Sequence, residues 1–182
     1  LALPAQTQTA TTGGEIAAPN YGSDASVGSL SNRNFNTPES DGRPGAYYFA
    51  LGVQAIKDGD YRHAIDMYKV AASWAYKPAE YNLGIMYFKG QGVRVDRARG
   101  AAWMILAAER DNLLYVKARD LMVTTLTKAE FQQTDEIWNQ LKPTYSDAVA
   151  LRRAKARWAQ VKAATTGSRV GDAASEYLMV GG

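Results

Sequence analysis

The chain has 182 residues, 46% apolar, 21% charged and 10% aromatic, with no cysteine, one histidine and a formal net charge of +3. That length permits one ordinary domain with tails, or two small ones. The absent cysteines exclude a disulfide framework, thiolate metal sites and a cysteine nucleophile, while a lone His63 argues strongly against a histidine-based triad or a multi-histidine metal site.

Residues 1–44 are poor in large apolar groups and rich in Thr, Ser, Gly, Asn, Ala and Pro. Such a stretch cannot bury enough apolar surface to offset its ordering entropy, so by itself it is expected to be a flexible arm that gains order on a partner. Its opening Leu-Ala-Leu-Pro-Ala has no basic n-region and no long apolar run, so no complete signal peptide is present. The start suits a mature exported chain and equally a trimmed one. A periplasmic or envelope location is the expectation, with a cytoplasmic one as the alternative.

From residue 45 the texture changes to helical periodicity. Tyr48, Leu51 and Ala55 share one stripe of a first helix to Lys57. Asp58-Gly59-Asp60 is a tight turn, and Tyr61 to about Ala75 repeats the pattern through Ala64, Ile65, Tyr68, Ala71 and Ala72. Pro78 sits in the first turn of a third helix, which runs to Lys89 and is broken by Gly90-Gln91-Gly92. Asp96 is the expected N-cap of a fourth helix, to about Arg110, with Trp103, Ala107 and Ala108 inward.

These segments are copies of one unit. Leu51-Gly52 returns as Leu83-Gly84, and Ala71-Ala72 returns as Ala107-Ala108 after a longer inter-helix turn. Small residues (Gly52, Gly84, Ala64, Ala71) let helices approach, and aromatics (Tyr48, Tyr68, Tyr81, Trp103) fill the layers between them. The pattern predicts an all-α fold, a short αα-hairpin solenoid in which each hairpin buries its apolar face against its neighbours.

The second copy, Ala79-Glu-Tyr-Asn-Leu-Gly-Ile-Met-Tyr-Phe-Lys-Gly-Gln-Gly-Val-Arg-Val-Asp96 followed by Trp103 and Ala107-Ala108, resembles a Sel-one-like repeat of the tetratricopeptide superfamily. Gly100 departs from the family's usual Ala and is expected to loosen the fourth helix by up to about 1 kcal/mol. A third, degenerate copy starts near Tyr115, with Ala118, Leu121 and Met122. It continues through a Thr127-Lys-Ala-Glu130 capping box into a helix to Leu141, with Phe131, Ile137, Trp138 and Leu141 inward. The solenoid is thus expected over 45–141, ended by Pro143. The resemblance implies a right-handed superhelix of two to three hairpins and an adaptor role in multiprotein assemblies, many of them in bacterial envelopes.

Residues 1–142 carry equal numbers of basic and acidic groups, so the surplus charge lies in the C-terminal part. Ser146-Asp147 is expected to start a basic capping helix to about residue 164, striped by Leu151, Ala154, Trp158 and Val161, with a Gly-rich tail over 165–182. Three partners suit such a helix: nucleic acid, an anionic membrane surface or an acidic protein. Nucleic acid would want further basic groups on the repeats, and a membrane a larger apolar face, so a protein is favoured. No apolar run approaches the roughly 18 residues of a membrane span.

Binding, rather than catalysis, is the chemistry this residue set suits. Carboxylates at Asp58/Asp60 are turn chemistry, and Asp135/Glu136 are sequence neighbours that do not face each other on a helix. Gly90-Gln-Gly-Val lacks the Gly-Lys-Ser/Thr of a phosphate loop, so its glycines are read as left-handed turn positions. No metal or cofactor is expected. Tyr47, Gln54, Asn82, Met86 and Lys89 lie off the buried stripe on the first helices of the hairpins, where amides and rings would suit an extended peptide, although Tyr47 and Met86 would serve equally as core. Arg152, Arg153 and Arg157 complete the candidate partner-binding set. The expected function is a non-catalytic scaffold or accessory subunit of a hetero-oligomeric assembly clamped by residues 1–44. The alternatives are a nucleic-acid- or anionic-surface-binding regulator acting through 147–164 and a small cell-wall hydrolase using His63 and Asp96.

Overall fold

Helix boundaries fall where some residue can satisfy, or dispense with, the first free N–H groups. The computed structural model describes residues 42–177, with side chains to residue 166, so most of the predicted arm and the end of the predicted tail lie outside it. Helix α1 (Pro44–Lys57) begins on a proline, whose fixed φ and missing N–H suit a first turn. In α2 (Tyr61–Ser73) the Asp60 carboxylate accepts the His63 N–H at 3.0 Å. Helix α3 (Lys77–Lys89) carries Pro78 in its first turn and ends on Gly90 with a left-handed φ of 75°. Asp96 caps α4 (Arg97–Ala107) through the Arg99 N–H at 2.9 Å, and a 3₁₀ turn, Ala108–Arg110, extends it. Asn112 caps α5 (Leu113–Thr124), and the reciprocal Thr127/Glu130 box caps α6 (Lys128–Tyr145). Helix α7 (Asp147–Tyr177) closes the described chain.

Pairs α1–α2 and α3–α4 form tight hairpins stacked through α2 and α3. Their shared core joins Tyr48, Ile65, Tyr68, Leu83, Trp103 and Leu106 with the small residues Ala64, Ala71 and Ala72. Burying side chains of this size supplies the apolar transfer energy that a single hairpin could not. Gly84 and Gly100 mark the closest approach of α3 and α4. A Cβ on Gly100 would lie 2.7 Å from the Phe88 backbone nitrogen and 2.8 Å from the Gly84 carbonyl oxygen. The expected loosening at Gly100 is therefore corrected: the missing methyl is what lets the two backbones meet.

The third pair departs from the hairpin plan. Helix α6 leaves α5 and packs on α4, where Ala98 and Ala102 admit Ile137 and the buried Thr134 hydroxyl donates to the Ala98 carbonyl at 3.2 Å. Helix α5 is held to the second repeat by Met122 against Met104 and Ala107, and by the stacked rings of Tyr81 and Tyr115 with centroids 4.9 Å apart. Its other face stays open. Phe131 of α6, expected inward, is 55% exposed and Leu121 of α5 69%, because among the described residues no second hairpin helix covers them.

Two expectations about the C-terminal part are also corrected. Pro143 lies inside α6, and the break comes at Ser146. A proline near a helix end forfeits only a little backbone bonding, and burial of Tyr145 edge-on against Trp103, at 4.6 Å, holds the last turn. The basic helix runs to Tyr177 rather than 164, through most of the expected tail.

Gly100→Ala is expected to lower stability by about 1–3 kcal/mol despite the better helix propensity of alanine, because the added methyl meets backbone atoms that cannot rotate away. Urea unfolding followed by helical circular dichroism checks this; an unchanged or raised midpoint would contradict the close approach.

Candidate partner-binding site

A groove of about 600 Å³ opens where α2, the α3–α4 loop, the start of α4 and α6 converge. It exists because α6 leans on α4 instead of closing against α5. Ile65, Val93, Val95 and Ala98 form its apolar part, with Ile65 and Ala98 buried and Val95 exposed. Tyr87 offers its ring to two cations, Lys69 at 5.8 Å and Arg99 at 5.7 Å. Five basic side chains line the groove (Arg62, Lys69, Arg94, Arg97, Arg99) against three acidic ones (Asp66, Asp96, Glu130).

Those charges are not equally committed. Arg99 pairs with its own helix cap, Asp96, at 3.1 Å. Arg97 lies over the Phe88 ring, donates to the Thr125 carbonyl and stands 3.8 Å from Glu130. Arg62 and Arg94 are exposed and make no ion pair with the described residues. The groove can therefore attract anions while presenting apolar surface beneath them.

A second polar cluster is structural. Lys77 Nζ, 5% exposed, donates to Glu80 Oε2 at 3.0 Å, Glu109 Oε2 at 2.6 Å and the Leu106 carbonyl at 2.9 Å, and lies 3.0 Å from Asp147 Oδ1. Arg110 grips Asp147 through two bonds, of 2.6 and 2.8 Å, and donates to the Ala75 carbonyl at 2.9 Å. The Asp147 N–H returns a bond to Glu109 at 2.9 Å. Two cations thus face three carboxyls. Burial pushes the Glu80 carboxyl up to about 8 against the pull of Lys77, and among the described residues Glu80 Oε1 meets no hydrogen-bond partner. A protonated Glu80 balances the cluster at neutral pH. Burial also raises Asp147, but the bonds from Arg110 and Lys77 outweigh it and hold that carboxyl below its ordinary range. Among the described residues no group of His, Asp or Glu is arranged to hold a metal ion.

The partner-binding residues picked from sequence fall elsewhere, and none of them lines the groove, although Asp96, a candidate of the hydrolase alternative, does. On α1, Tyr47 is half-buried and edge-on to Tyr48, while exposed Gln54 donates to Asp58 at 3.0 Å. On α3, Met86 is core, Asn82 hydrogen-bonds the Tyr68 side chain, and Lys89 is exposed at the helix end. On α7, Arg153 donates to the Ser73 carbonyl at 2.6 Å, closing the end of α2, and Arg157 is engaged within the protein; Arg152 is exposed. The signal that would have found the groove is the run Arg94-Val-Asp-Arg97-Ala-Arg99, a local basic excess hidden by the zero balance of residues 1–142.

The native state holds a Glu80 proton that an unfolded chain releases. The stability this contributes is full below the ordinary carboxylate range and is lost as pH rises toward about 8. Asp147 acts oppositely, losing its contribution as pH falls through its lowered pKa. Wild-type urea midpoints are expected to fall between about pH 5 and about pH 8, and Glu80→Gln to flatten that slope. Lys77→Met, which strands the carboxyls, is expected to cost about 3–5 kcal/mol by the same measurement.

Residues 45–73 and 77–112 match the Sel1 repeat model, and these spans contain α1–α2 and α3–α4. No curated protein matches the chain in sequence. Among solved structures, a protective antigen present in uropathogenic Escherichia coli strains and displaying an SLR fold superposes with a TM-score of 0.52 at 24% identity, over 72% of this chain and 32% of that one. The likeness is one of fold, and the chain spans about a third of that structure's length. Among the described residues no helix is long and apolar enough to cross a membrane. Sel1 repeats are generally protein-interaction modules, and this chain carries two of them, at 45–73 and 77–112.

Proposed function

We propose that the chain is a non-catalytic scaffold, an accessory subunit or adaptor that joins a larger protein assembly at the cell envelope, with the arm 1–44 as an additional clamp. The observation that carries this reading is the pair of stacked Sel1 hairpins. In such a module the distinctive residues are spent on packing small groups against aromatics, leaving a shaped surface for recognition. Of the candidates for a hydrolase, Asp96 is a helix cap, and exposed His63 contributes its backbone N–H to the cap at Asp60. Nucleic acid binding through α7 draws less support, since Arg153 and Arg157 are occupied within the fold. The envelope location rests on the family resemblance.

Affinity purification of the intact chain, beside one lacking residues 1–41 so that α1 stays whole, tests the reading. A stoichiometric protein partner is expected with the intact chain and is weakened or lost in the truncation. Failure to recover any such partner would sink the scaffold, identical partners would remove the clamp, and cell fractionation checks the compartment.

A further inference from the structure

We propose that the groove between α2, the α3–α4 loop, α4 and α6 binds an extended acidic peptide segment of a partner protein, one that interleaves carboxylates with apolar side chains. This deepens the scaffold reading and rests on it. The argument is charge complementarity over an apolar floor. Arg62 and Arg94 are exposed on opposite elements, α2 and the α3–α4 loop, with no carboxylate of the described residues within ion-pair distance. Lys69 and Arg99 add positive charge above Tyr87. Between these cations lie Val93 and Val95, beside the buried Ile65, and 55% exposure of Val95 leaves apolar surface for a partner to cover.

An extended peptide alternates its side chains between two sides, so carboxylates can reach the basic rim while intervening apolar groups settle on the valines. The Gln133 amide on α6 faces the same space and can bond a peptide backbone. Aspartates and glutamates of the groove set a limit on the partner. Asp66 and Glu130 would repel a phosphate-dense polymer that neutralises every cation in turn, but tolerate spaced single charges. The recognition loop belongs to the second Sel1 repeat, whose Gly92, at φ 74°, lies so near Tyr61 that any side chain there would strike the start of α2. That contact fixes the loop against α2 and keeps the groove formed before a partner arrives.

The test titrates the full chain into a fluorescein-labelled nonapeptide of alternating Glu and Leu, its Gln-for-Glu counterpart, and a labelled oligonucleotide of equal charge, followed by anisotropy. The acidic peptide is expected to bind, to weaken as salt rises, and to lose about tenfold or more in affinity to the double variant R62E/R94E, whose helical spectrum stays that of the wild type. Equal binding of the Gln peptide, no effect of the double variant, no binding at all, or an oligonucleotide that binds as tightly as the peptide would each overturn the proposal. If R62E/R94E still captures a stoichiometric partner as well as the wild type does, the scaffold reading stands and the groove is not its site.

Discussion

A single buried ammonium organises the joints of this fold. Lys77 stands at the first turn of α3, and its ammonium donates to carboxyls from α3 and from the 3₁₀ turn after α4 and to the Leu106 carbonyl, while pairing with the carboxylate at the start of α7. Removing such a charge from water is costly, and only close acceptors on every side offset the loss. The arrangement forces three elements far apart in sequence to meet at one point. Arg110 completes it by tying Asp147 to the α2–α3 turn at Ala75. Burial favours the protonated form of Glu80, and in that form two cations meet two carboxylates.

The course of α7 follows from that node. Its first residue is pinned at the α3 and α4 ends, Arg153 reaches the end of α2, and Trp158 meets the entrance to α1, with Arg43 5.3 Å from its ring. The helix therefore runs back across both repeats instead of covering the last pair. Because α6 must deliver the chain to Asp147, it packs along α4, and α5 keeps an apolar face exposed through Leu113, Leu114 and Leu121. The groove is the other consequence of the same displacement. Its far wall is α6, and its basic rim comes from the repeat loop and α2.

A scaffold of this kind separates its tasks by chemistry. Apolar and small residues fix the hairpins, one buried polar cluster fixes their closure, and the exposed charges that neither task needs remain for recognition. Arg62 and Arg94 are of this last sort, whereas Arg153 and Arg110, equally basic in composition, are structural.

Much of the architecture was legible in the residues themselves. Periodicity, the paired Leu-Gly and Ala-Ala steps, Pro78, Asp96 and the Thr127/Glu130 box specify helices α1 to α4 and the start of α6, because caps and stripes act within a few residues of chain. What lay beyond reach depends on contacts across long separations. Phe131 and Leu121 look like core by spacing, yet whether a neighbour covers them is decided by where α6 goes. Gly100 looks like a weak helix residue, yet its value is set by the Gly84 backbone it touches. The site shows the same division. Sequence determined a repeat module with few reactive groups, because composition and local pattern are properties of the chain alone. Only the tertiary structure decided which arginines face a groove and which are consumed in holding it, because side chains of one type differ solely in what the fold places beside them.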